Sequence, residues 1–192
     1  ARTLDDAMPL TVDWKVQIDD PALLMQTLNL PPLTQPVTAK LSTIGKAALK
    51  VNDPMNADLQ IELSVKEGRF GEAALPVVDV KAHVAKGEAV VESLQVIVNT
   101  RNRVDLKGQA DLKEPWSFGV DGVVEMPELK ALNALLAAFK APQIESGSLM
   151  AKIQAVGDAR PYRLKPGLLT LNAKAVKVAG MPEAADVDLR TT

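Results

Sequence analysis

Apolar side chains recur at every second position through most of this chain, the period of strands with one dry and one wet face. The clearest stretch runs from Pro115 to Gly157. Trp116, Phe118, Val120, Val124 and Met126 fall on one face of a strand, and Ser117, Gly119, Asp121 and Glu125 on the other. Pro127 breaks that period, and its fixed φ and missing N–H suit the first position of a helix. Glu128 then falls in the first turn, where the helix dipole favours a negative charge. Leu129, Leu132, Leu135, Leu136 and Phe139 follow at spacings of three and four, a helical stripe ending before Pro142. Beyond it, Leu149, Ala151, Ile153 and Ala155 alternate with Met150, Lys152, Gln154 and Val156. The predicted unit is strand, Pro-led helix, strand.

The same unit is predicted near the start. Leu10, Val12, Trp14, Val16 and Ile18 alternate with Thr11, Asp13, Lys15 and Gln17. Asp20 suits a helix cap and Pro21 the first helical position. A short helix bearing Leu23, Leu24 and Leu28 is expected to end at Pro31-Pro32, with a strand from about Val37 to Thr43 after it. Pro21 and Pro127 lie 106 residues apart, as do Pro76 and Pro182. The run from Ala39 to Gly45 resembles that from Ala151 to Gly157 at a displacement of 112. These offsets predict one domain over residues 1–192 built from two tandem repeats: a first of about 9–112 and a truncated second of about 113–192.

Strand signals are dense between these units. Met55, Ala57, Leu59, Ile61, Leu63 and Val65 alternate strictly with Asn56, Asp58, Gln60, Glu62, Ser64 and Lys66, and Gly68 and Gly71 mark a bend. Val78, Val80, Ala82 and Val84 form the next apolar face, with Asp79, Lys81 and His83 opposite. After a turn at Lys86-Gly87-Glu88, one face continues through Val90, Leu94, Val96 and Val98 to Arg101-Asn102. Val104, Leu106, Ala110 and Leu112 alternate with Asp105, Lys107, Gln109 and Asp111. Leu169, Leu171, Ala173 and Ala175 make a further strand, Val176 with Val178 shifts its phase as a bulge does, and Ala185, Val187 and Leu189 finish the chain. Short turns between consecutive strands favour antiparallel pairing. The expected fold is mainly β: an elongated, curved, groove-like (β-taco) antiparallel sheet with two short helices.

Size then bears on function. About ten strands at ~4.8 Å spacing make a sheet on the order of 50 Å across. Two short helices, each about 10 Å in diameter, cover well under half of its apolar face. The sheet either curls to bury that face on itself, as in a sandwich or barrel, or stays open as an aliphatic trough. An open face of that extent marks a partner or ligand. The candidates for lining a lipid groove are Leu59, Ile61, Leu63, Val65, Val80, Val84, Leu94, Val96, Val98, Val104, Leu106, Phe118, Val120, Leu169 and Leu171. Trp14 and Trp116 read as packing anchors where each helix folds over the sheet.

Charge and composition narrow the chemistry. Twenty-two Lys and Arg against twenty-four Asp and Glu give a net charge of −2, with both signs scattered, which argues against nucleic acid. The absence of Cys rules out disulfides and thiolate metal sites. No apolar run approaches the roughly 18 residues that span a bilayer as a helix. His83, the single histidine, falls on the wet face of its strand and reads as a surface residue. Ser146-Gly147-Ser148 lacks the spacing of a nucleophile elbow, and Gly119-Val120-Asp121-Gly122 that of a dinucleotide fingerprint. Asp19-Asp20 reads as loop and helix cap, and Asp186 with Asp188 as the wet face of the last strand. The expectation is a non-enzymatic chain with no cofactor and no metal.

The strand with its Pro-led helix, the Ser146-Gly147-Ser148-Leu149 opening of the next strand, Gly157, Leu164 and the Leu168-Leu169-Thr170-Leu171 strand resemble the repeats of AsmA-like proteins, the superfamily that includes TamB-type bacterial envelope proteins. That resemblance implies a long, curved antiparallel sheet with a greasy face, in a protein anchored in the inner membrane and reaching through the periplasm. It implies a middle segment of such a protein that shields lipid acyl chains for phospholipid transport between membranes and outer-membrane biogenesis. The implied partners are phospholipid or another acyl-chain lipid, neighbouring repeats of a longer chain, and outer-membrane assembly proteins. The alternative is a structural or chaperone-like spacer whose sheet edge assists outer-membrane protein assembly.

Overall fold

The alternation becomes a single antiparallel sheet. In the computed structural model, which describes residues 9–27, 36–50 and 53–191, the strands are β1 (Pro9–Ile18), β2 (Val37–Lys50), β3 (Asp53–Phe70), β4 (Ala73–Ala74), β5 (Val77–Ala85) and β6 (Glu88–Ile97). They continue as β7 (Arg103–Asp111), β8 (Ser117–Met126), β9 (Ile144–Ala159), β10 (Tyr162–Leu164), β11 (Leu168–Val178) and β12 (Ala185–Thr191). Their order is β1-β2-β3-β5-β6-β7-β8-β9-β11-β12, with β4 beside β3 and β10 beside β9. Order in space follows order in sequence because tight turns join most neighbours, and every described pairing is antiparallel. The sheet is open: β1 stands at one edge and β12 at the other.

Helix α1 (Pro21–Thr27) starts where expected, because the Asp20 carboxylate accepts the Ala22 and Leu23 N–H groups at 2.9 and 3.2 Å. Leu28, Pro31 and Pro32, expected to close it, lie outside the described residues, as do the side chains of Leu24, Met55 and Asn56. The strand after it runs to Lys50, well past Thr43, because residues 44–50 keep pairing with β1 and β3.

The second helical segment corrects the expectation. It is a 3₁₀ turn (Leu129–Leu132) followed by α2 (Asn133–Ala138). Pro127 sits before it, and Glu128 flanks it with φ −135°, so neither occupies the first helical turn. Asn102 accounts for this. Its side-chain amide donates to the Glu128 carbonyl at 2.8 Å and accepts the Glu128 N–H at 3.2 Å, binding that backbone to the β6–β7 turn. Asn133 does the same to Ile144, donating at 2.7 Å and accepting at 2.8 Å. The segment packs against the start of β9 on one side and against β4 on the other. It lies across one end of the sheet's dry face, where the Phe139 ring stacks on Phe70 with centroids 5.1 Å apart.

Trp116 also departs from expectation. It stands at positive φ (53°) in the turn before β8, at the opposite end of the strand from the helical segment, with the Arg160 guanidinium 4.9 Å from its ring. The phase change at Val176–Val178 is present as a bulge in β11. Strand β1 followed by α1 and β2 matches β8 followed by its helical segment and β9: each is an antiparallel pair joined through a helix. The fold does not otherwise display the tandem repeat expected over 9–112 and 113–192.

Candidate functional site: the apolar face

Register shows that the dry face is continuous. Trp14 opposes Gly45, Gly45 opposes Ile61, and Ile61 opposes Ala82. Further on, Val96 opposes Val104, Val104 opposes Val124, Val124 opposes Ala151, Ala151 opposes Leu171, and Leu171 opposes Leu189. Directly opposed residues share a face, so one apolar surface crosses all ten strands of the path.

Fourteen of the fifteen groove candidates lie in strands on this surface: Leu59, Ile61, Leu63 and Val65 on β3, Val80 and Val84 on β5, Leu94 and Val96 on β6, Val104 and Leu106 on β7, Phe118 and Val120 on β8, Leu169 and Leu171 on β11. Val98 does not. Strand β6 ends at Ile97, and Val98 lies in the following bend, its N–H donating to the Asn102 carbonyl at 3.0 Å. Val90 also leaves the expected face. Lys81 pairs with Ser93 but Ala82 with Val91, so a bulge at Glu92 reverses the phase of β6 and turns Val90 to the wet side. Leu10, Val12 and Val16 of β1, Leu149 and Ile153 of β9, and Val187 and Leu189 of β12 belong to the surface too. Their alternation was visible in the sequence, and only the pairing joins them to one face.

Two glycines let this surface pack flat on itself. The Trp14 ring lies over Gly45, where an added Cβ would collide with it, and its indole N–H donates to the Thr43 hydroxyl at 3.4 Å. Leu106 covers Gly122 in the same way. The surface nonetheless has no second layer. Among the described residues the buried apolar side chains are Pro21, Ala39, Phe70, Ala73, Leu129, Ala151 and Ala173, of which only Phe70 and Leu129 are large. Leu63, Val120, Val187 and Leu189 remain 38–48% exposed. The accessible surface of the chain is 13325 Å². A compact protein of 20.5 kDa exposes about 8,800 Å², so the excess is about 4,500 Å².

The wet face is a ladder of cross-strand polar pairs. Lys81 meets Glu62 at 3.1 Å, Arg103 meets Glu125 at 2.8 Å, and Gln154 donates to Asp121 at 2.9 Å. His83 belongs here, its Nδ1 2.9 Å from Glu92. Lys40 and Glu67 meet at 2.6 Å, and that hydrogen bond and charge raise the lysine pKa. At the far end the Ser117 hydroxyl donates to Asp158 at 2.9 Å and lowers its pKa; partial burial opposes this and the Lys165 ammonium, at 3.4 Å, adds to it. A recess of about 890 Å³ is lined in part by Glu92, Lys107, Gln109, Asp121 and Gln154 together with Val90 and Val156, and within it Gln154 donates to Asp121. Among the described residues no group of three or more His, Cys, Asp or Glu side chains is placed to share a metal ion, and no helix is long and apolar enough to cross a membrane. Set against models of known protein families, curated proteins and solved structures, the chain matches none of them.

Proposed function

We propose that the apolar face shields lipid acyl chains from water, as a non-enzymatic segment of a bacterial envelope protein acting in the periplasm. The observation that carries this reading is a single apolar surface across ten strands with no second layer over it. The chemistry suits an acyl chain. The surface is mainly aliphatic, with Trp14 and Phe118 as aromatics and the hydroxyls of Thr43 and Thr191 as polar groups on it. Each methylene it takes from water contributes about 0.8 kcal/mol. A sixteen-carbon chain half buried there would gain about 6 kcal/mol with no polar contact. The helical segment closes one end of the surface, which leaves the other end and the long sides for exchange. The likeness to AsmA-like repeats supports phospholipid as the cargo and outer-membrane biogenesis as the setting.

The test is lipid carried by the purified chain. Native mass spectrometry and solvent extraction are expected to find co-purified phospholipid. Leu63→Asp, Val96→Asp or Phe118→Asp is expected to abolish it while circular dichroism still reports the sheet, because these half-exposed positions carry no ladder hydrogen bonds through their side chains. Lipid-free protein, or lipid retained by all three variants, defeats the reading. Among the described residues β1 and β12 each pair on one side only, which favours a second reading, a chaperone-like spacer that pairs with client strands. That reading expects Val187→Pro to abolish function and the three Asp substitutions to leave it intact.

A further inference from the structure

The two edges of the sheet are complementary to each other. Among the described residues β1 and β12 each pair on one side only. Direction alternates along the ten strands of the path, so β12 of one copy meets β1 of another antiparallel, as at every junction within the chain. For the apolar face to continue across that junction, Val187 and Leu189 must oppose even-numbered residues of β1, which leaves few registers.

One of these registers places Arg190 opposite Asp13 and Asp188 opposite Lys15 on the wet face. The same register sets Leu189 against Trp14 and Val187 against Val16 on the dry face, and partners all seven residues of β12 between Val12 and Ile18. A shift of two residues one way puts Asp188 against Asp13 and leaves only Asp186 against Lys15 as an attractive pair; a shift the other way puts Arg190 against Lys15 with no attractive pair in β1. Opposite charges directly across a strand pair attract and like charges repel, so charge alone selects the first register. The four side chains are exposed, and among the described residues Asp13 and Arg190 make only long contacts, of 3.9 Å to Lys46 and 3.7 Å to Asp188.

We propose that a second copy of this chain adds its β12 to β1 in that register, extending the sheet and its dry face head to tail. The contact joins two different surfaces, so it propagates instead of closing as a two-fold dimer. This stands whether or not the face carries lipid.

The chain has no cysteine, which makes crosslinking clean. Mixed and oxidised, Lys15→Cys and Asp188→Cys proteins are expected to give a heterodimer as the main product, and Lys15→Cys with Arg190→Cys, one step out of register, at least tenfold less. In sedimentation, Asp188→Lys is expected to weaken self-association at least tenfold, and the double variant Lys15→Asp with Asp188→Lys to restore most of it. The proposal is overturned by a monomer that yields no Lys15–Asp188 crosslink, by crosslinking indifferent to position, or by association untouched by the charge reversals. The last result would assign association to the dry face.

Discussion

Asn102 is the residue on which the arrangement at the capped end turns. Its side chain is fully buried, and its amide pairs with both backbone groups of Glu128, as a neighbouring strand would. Asn102→Ala removes both bonds, each worth about 0.5–1.5 kcal/mol net; urea unfolding is expected to show a loss of about 1–3 kcal/mol. Asn102→Asp replaces the donor with an acceptor facing a carbonyl and is expected to be at least as harmful at neutral pH. At the other end, Asp158 titrates below its ordinary value of 3.8, chiefly because the Ser117 hydroxyl donates to it. A depressed carboxylate contributes stability that is complete above its unfolded pKa and is lost as pH falls through the folded one. Ser117→Ala is therefore expected to move the Asp158 titration, followed by NMR, back up toward 3.8 and to flatten the acid side of the stability profile.

Among the elements, the segment from Leu129 to Phe139 joins two phenylalanine- and leucine-bearing contacts of unequal weight. Leu129 is 7% exposed and packs against β9, whereas Phe139 is 64% exposed and makes its contact by stacking on Phe70. Leu129→Ala is expected to cost about 2–5 kcal/mol, as for a buried leucine. Phe139→Ala removes mainly a stacked pair, worth about 0.5–1.5 kcal/mol. Denaturant unfolding of the two variants separates these ranges; equal losses would show that the segment docks as one unit. The bulge at Glu92 acts at this scale too, since by reversing phase it keeps Val91 and Leu94 on the same dry face three residues apart.

For the whole molecule, the governing fact is a sheet without a lid. Nine inter-strand gaps at ~4.8 Å give a width of about 43 Å, and the 18 residues of β3 at ~3.3 Å give a length of about 59 Å in a single layer. A compact chain of 192 residues has a radius of gyration near 16 Å and a diameter of about 42 Å. Small-angle scattering is expected to return a radius of gyration clearly above 16 Å; a value at the compact limit would mean that the dry face folds over on itself. The same openness accounts for the surface excess of about 4,500 Å², and an apolar face of that extent is one that a partner or ligand covers.

Strand identity, face by face, was legible in the sequence, because the period of two is a local property that each residue carries whatever its partners are. Leu59 to Val65 on β3 and Phe118 to Val124 on β8 needed no tertiary information. The Asp20 cap was legible for the same reason, its bonds reaching only two and three residues along. Val90 and Val98 were misplaced because a bulge and a turn are set by the neighbouring strand, and Pro127 because its surroundings are held by Asn102, 26 residues before Glu128. Tertiary structure alone decided whether the dry face would close. Alternation says only that one side avoids water; whether the sheet curls, pairs with a second layer or stays open depends on non-local packing, and here β1 and β12 remain apart at opposite edges.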